Sequence, residues 1–205
     1  MNESADSSGP STDTESVSAS PNPPLRLLYG TASIDDLDEF LATLDAVAEA
    51  TGAVVQAFDA ELVVSERHLS EATRLAARSI ARGEAVARDP GVEILLYAAG
   101  RRQIDRALEL GVSEGERRTV VLAADFGGVS GAGRSTADLD AAAASIAAAL
   151  SVTDEKSASE GGPLSKYDAD RVREFYGVTD RELAATAGEL PDIVRERVAL
   201  LDVEK

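Results

Sequence analysis

The chain contains no cysteine and no tryptophan, and its one histidine is His68. Without thiols there is no disulfide framework, no thiolate nucleophile and no cysteine-held metal. A lone imidazole argues equally against a histidine metal cluster or a Ser-His-Asp triad. Neither a metal nor a cofactor is therefore expected, and no enzymatic activity. Lysine is nearly missing too: of the 20 basic residues only Lys156, Lys166 and Lys205 are not arginine. No apolar run reaches the roughly 18 residues of a membrane span, and the N-terminus lacks the basic-then-apolar order of an export signal. A soluble cytoplasmic chain without membrane contact is the expectation.

What the chain has in excess is carboxylate, with 37 Asp and Glu giving a net charge of −17 over 205 residues. Abundant acid with scarce lysine suits a halophilic protein, because at molar salt a Debye length of about 3 Å screens self-repulsion. The hydrophobic share of 44% is enough for one core and a single domain.

Residues 1–24 are Ser, Thr, Asp, Glu and Pro with little to bury, so they read as a disordered acidic tail before a domain over 25–205. Residues 25–32 read as a strand. Ser33 and its following acids open a helix with Leu37, Phe40, Leu41, Leu44 and Val47 on one face, ending at Gly52. Residues 53–58 form a second strand, which 59–64 continue as a short third one. Ser65 caps the next helix, which Gly83 ends. Residues 92–99 suit either a strand or a buried helix by periodicity; a short helix is favoured, with Gly100 as its left-handed end and a second short helix over 101–110. Residues 119–124 are a strand. Ser135 then caps a helix with Asp138 as its capping-box acid, and Ser165, Thr179 and Pro191 open three more. These elements predict a mixed α/β domain with a small, largely antiparallel sheet covered by helices, and mobile loops near 127–134 and 153–163.

Between Ser65 and Ala107 lie eight arginines and six carboxylates, a basic island in an acidic chain. On a helical wheel Arg67, Arg74, Arg78 and Arg82 oppose Leu69, Ala72, Ala76 and Ile80, with His68 on the flank. An arginine stripe is ordinarily a solvated face, but acids would serve solubility equally well in this chain. His68 has two readings, a ligand-facing residue or a hydrogen-bonded histidine at the edge of the core. After the Gly100 turn, free backbone N–H groups together with Arg101, Arg102 and Arg106 favour phosphate, and Gln103 can read an adenine edge. The glycine-rich stretch after Asp125-Phe-Gly127 lacks the Gly-Lys-Ser/Thr of a phosphate loop and the third glycine of a dinucleotide fingerprint. It reads as a flexible loop, and a small hydrolase built on it is the enzyme rival.

The string Ala57-Phe-Asp-Ala-Glu-Leu-Val-Val-Ser65, the following His68, and Glu93-Ile-Leu-Leu-Tyr-Ala-Ala-Gly-Arg-Arg-Gln-Ile104 resemble the CGI-type small subunit of the KEOPS complex, related to the PRPK-binding protein of eukaryotes. The likeness runs from Leu25 to the C-terminus and includes 195–203; the tail before Leu25 and the glycine-rich loop after Phe126 depart from it. The resemblance implies a non-catalytic accessory role in making threonylcarbamoyl-adenosine in transfer RNA. Such a subunit binds a kinase-like ATPase subunit and holds the single-stranded CCA end of the RNA. A scaffold that regulates the ATPase without touching RNA is the alternative. Charge and placement, not the family, nominate Arg67, His68, Arg74, Arg78, Arg101, Arg102, Gln103 and Arg106 for RNA. Val194, Val198 and Leu201 form an apolar stripe on the last helix, suited to the ATPase partner or to packing on the chain's own sheet.

Overall fold

The computed structural model describes residues 22–150 and 166–203. The expected tail lies almost wholly outside them, and the loop expected over 153–163 entirely so. Three antiparallel strands, β1 (Leu25–Ile34), β2 (Val54–Asp59) and β3 (Gly115–Ala124), are ordered β1-β3-β2. Leu25 faces Ala124 and Ile34 faces Gly115 in one pair, while Val54 faces Ala124 and Asp59 faces Thr119 in the other. The central β3 is sealed on both faces, which is why Thr119 to Ala124 reads as an unbroken apolar run rather than an alternating one. The single mixed α/β unit with a small antiparallel sheet agrees with the sequence expectation.

Helices cover both faces. Ala57, Val121 and Ala123 pack with Ala32 and Ile34 under α1 (Leu37–Thr51) and α5 (Leu139–Ala149). Val54, Phe58, Val120, Leu122 and Ala124 join the larger core beneath α2 (Glu66–Ala81), α3 (Pro90–Ala99), α6 (Ala169–Tyr176) and α8 (Leu190–Val203). Two short helices, α4 (Ile104–Ala107) and α7 (Asp180–Ala185), complete the described set with a 3₁₀ turn over Leu108–Leu110. Side chains full of carbon such as Leu69, Phe58 and Ile94 are wholly buried, each worth about 1.5–3 kcal/mol by transfer from water.

Five sequence expectations shift, the first at Ser33, which lies in β1 while Asp36 caps α1 by accepting from the Glu39 N–H. Residues 60–64 turn away from β2 and form no third strand: the Asp59 carboxylate accepts from the Glu61 N–H at 2.9 Å and its carbonyl from Leu62 at 3.0 Å, a local bond that outcompetes the ladder. The helix capped by Ser135 instead starts at Leu139 under Asp138, because Asp125 takes the N–H groups of Gly127 and Ala137 and holds 135–137 in the loop. The helix after residue 165 is capped by Asp168, which accepts from Asp170 and Arg171. The helix over 101–110 reduces to α4 and the 3₁₀ turn, since Gln103 is extended (ψ 116°) and gives no side-chain cap. The favoured helix over 92–99 is present and begins two residues earlier, at Pro90 capped by Asp89. Its buried Glu93 accepts from Ser79 and from the Val86 and Ala87 N–H groups, stitching the loop after α2 to α3.

Candidate nucleic-acid interface

The structure divides the nominated arginines into two groups. The first surrounds the end of α3. Gly100 takes the left-handed conformation (φ 60°), and the Gly100 and Arg101 N–H groups return to Tyr97 and Leu96, closing α3 as a Schellman-type end. A Cβ on Gly100 would sit 3.2 Å from that of Arg197, so the turn is pressed against α8. The expected phosphate cradle of free N–H groups at Arg101 is therefore not formed: one donor closes α3, and α4 is a single turn starting beyond Gln103.

What stands there instead is a cleft of about 510 Å³, within the ~300–1,000 Å³ usual for ligand sites. Arg101 forms its floor, with its guanidinium 5.5 Å from the Phe175 ring centroid and hydrogen-bonded to the Phe175 carbonyl. Arg106 lines the cleft and is paired to Glu109 at 2.9 Å. From α6 comes Arg171, bonded to the buried Asp59 at 2.8 Å and to Glu61. Burial would lower the Arg171 guanidinium, but the two carboxylates overcome it and raise its affinity for the proton. Arg102 keeps one terminal nitrogen out of solvent with no acceptor among the described residues, and Gln103 is exposed beside it. A planar cation fixed against an aromatic ring offers a stacking surface for a nucleobase.

The second group lies along α2, where α8 packs. Arg74 is bonded to Glu71 at 2.6 Å, and this bond holds the Glu71 carboxyl below its ordinary range. Arg78 pairs with Asp202 of α8 at 3.2 Å, and the same carboxylate accepts from the Tyr97 hydroxyl. Arg78 thereby ties α2 to α8, with Tyr97 of α3 on the same carboxylate, while the Arg74 pair stays within α2. Arg67 is exposed and has no ion pair among the described residues.

His68 is a core residue and leaves the RNA candidates. Its Nε2–H donates to the Ala98 carbonyl at 2.8 Å, as does the Tyr176 hydroxyl, so α2 and α6 together satisfy a carbonyl from the last turn of α3. The bond to a carbonyl requires hydrogen on Nε2, which leaves Nδ1 as a buried lone pair without a donor. Burial pushes the imidazole down to about 4. Val194 and Val198 are fully enclosed and Leu201 nearly so, facing the core. The apolar stripe expected to meet a partner is the packing face of α8; the apolar groups it exposes are Leu200 and Val203.

Sequence reading missed Arg171 and Phe175, because the cleft is assembled by α6 docking across the end of β2, some way along the chain from the basic island. The signal available was the adjacent pair Phe175-Tyr176 in a chain with only eight Phe and Tyr. Among the described residues no cluster of metal-ligating side chains occurs, and no helix is long and apolar enough to cross a membrane. Residues 36–202 match the family profile described as kinase binding protein CGI-121, a span that includes both arginine groups and the cleft. No curated protein matches the chain.

Proposed function

The chain belongs to the CGI-121 family of kinase-binding proteins, and from this premise we propose that it is a non-catalytic accessory subunit of the KEOPS complex, which makes threonylcarbamoyl-adenosine in transfer RNA. In this reading it binds the kinase-like ATPase subunit and holds the single-stranded CCA end of the RNA, while its partners do the chemistry. The observation that carries the RNA part is the cleft: Arg101 fixed across Phe175, with Arg106 and Arg171 lining the walls. Single-stranded RNA is recognised by stacking of splayed bases on aromatic rings and guanidinium planes, with hydrogen bonds to their edges. Arg102 brings an unmet donor and Gln103 an open amide to the same turn. At high salt phosphate contacts lose much of their counterion-release drive, and a site built on stacking keeps more of its affinity.

The pairs Arg74–Glu71 and Arg78–Asp202 favour structural work for the α2 arginines, so the RNA end is assigned to Arg101, Arg102, Gln103 and Arg106, with Arg67 left as an outlying contact. On α8 the surface left for the ATPase is Leu200 and Val203. A gel shift with transfer RNA carrying or lacking CCA tests the assignment. Removing the tail is expected to abolish the shift, and undiminished binding overturns tail capture in favour of a scaffold that touches only the ATPase. Arg102→Ala with Gln103→Ala is expected to abolish the shift too, while the ATPase subunit still binds.

A further inference from the structure

Each guanidinium group lining the cleft has a local acceptor, and one carboxylate there has no donor among the described residues. Arg106 has Glu109, Arg171 has Asp59 and Glu61, and Arg101 has the Phe175 carbonyl. Glu174, on the cleft wall, has no side-chain hydrogen bond or ion pair among the described residues. Its natural helical partner is Arg171, one turn earlier on the same face of α6. That guanidinium is turned away to the end of β2, where Asp59 and Glu61 hold it. A carboxylate therefore stands open beside two guanidinium groups, Arg106 and Arg171, that are already in ion pairs, one residue from the ring that supports Arg101.

We infer that Glu174 accepts the vicinal 2′,3′-hydroxyls of the terminal ribose, so that the cleft admits only an RNA whose 3′ end is chemically free. This rests on the RNA-end reading of the cleft. An ionised carboxylate is acceptor-only and its two oxygens accommodate two O–H donors side by side. Only the last nucleotide of an RNA offers two neighbouring hydroxyls; every internal ribose has one. With its base stacked on Arg101 and Phe175, a terminal nucleoside presents that pair to the cleft wall. A 3′-phosphate in the same place brings negative charge onto Glu174 while Arg106 and Arg171 are already held by carboxylates, and an esterified end removes a donor and adds bulk.

Fluorescence anisotropy of the full-length protein at one fixed salt concentration, with short RNAs ending in CCA, tests this. The probes end in a 2′,3′-diol, a 3′-deoxy ribose or a 3′-phosphate. Wild type is expected to bind the diol about ten- to a hundredfold more tightly than the 3′-phosphate, the worth of hydrogen bonds to a charged group, with the 3′-deoxy end between them. Glu174→Ala is expected to weaken diol binding about tenfold and erase the preference. Because Glu174 is exposed and its side chain makes no hydrogen bond or ion pair among the described residues, that variant keeps the wild-type fold, checked by an unchanged Tm. Equal affinity of wild type for diol and phosphate, or a preference that survives Glu174→Ala, overturns the inference while leaving end capture standing. Failure to bind any of the probes, or equal binding of an RNA without CCA, overturns the end-capture reading itself.

Discussion

His68 shows how one buried group sets a pH dependence. Its folded-state value of about 4 lies below the ordinary 6.5, so between these two pH values the unfolded chain binds the extra proton. Stability from this site is therefore complete above pH 6.5 and falls as pH drops toward 4, by about 3 kcal/mol in total. Urea unfolding at pH 7 and pH 4 is expected to show wild type losing about that much relative to His68→Gln; parallel losses would dismiss the buried imidazole as the source. Gly127 is held by space, not conformation. A Cβ there would lie 2.4 Å from the Thr136 nitrogen, where backbone cannot yield cheaply, so Gly127→Ala is expected to cost roughly 2 kcal/mol. Gly128, with open space around it, is expected to accept alanine with little change. Chemical denaturation of the two variants side by side measures the contrast.

Of the elements, α8 best separates stability from recognition. Val198→Ala opens space in the core and is expected to cost about 1–3 kcal/mol, with partner binding lost only as the protein unfolds. Leu200→Ser and Val203→Ser, on the exposed side, are expected to leave Tm unchanged and weaken binding of the kinase-like subunit, read by pull-down or calorimetry. The sequence made α8 itself legible, through Pro191 in its first turn and the spacing of Val194, Val198 and Leu201; what it hid was the side on which the core lay. Amphipathic spacing marks a face that seeks burial, and α2 and α3 happen to bury this one. The same limit applies to α2, whose arginine stripe was legible while the Asp202 carboxylate that meets Arg78 was more than a hundred residues away. One cap was misplaced because a distant carboxylate competed for the same N–H groups, as Asp125 does at Ala137, and two because an aspartate three residues further on is the acceptor used, Asp36 and Asp168. The cleft was half legible: its Gly100 turn and basic residues were local, its α6 wall was not.

For the whole molecule, charge is the dominant variable. A net −17 with only 20 basic residues in 205, many of them engaged in pairs such as Arg26–Asp140 and Arg197–Glu182, leaves the surface repelling itself in dilute buffer. The Tm is expected to rise as KCl is raised from about 0.1 M toward molar concentrations, as screening shortens from roughly 10 Å to 3 Å; equal or greater stability in dilute buffer would overturn the expectation, drawn from composition, of a surface suited to high salt. The order β1-β3-β2 has a consequence for how the chain comes into being. Both outer strands pair with β3 and neither with the other, so a ribosome that has released 25–59 has produced two ribbons with nothing to zip onto. Sheet hydrogen bonding has to wait for Gly115–Ala124 to emerge, and until then α1 and α2 must keep the apolar faces of both ribbons from meeting neighbours, a long-range closure of the kind that makes folding slow and nascent chains prone to stick.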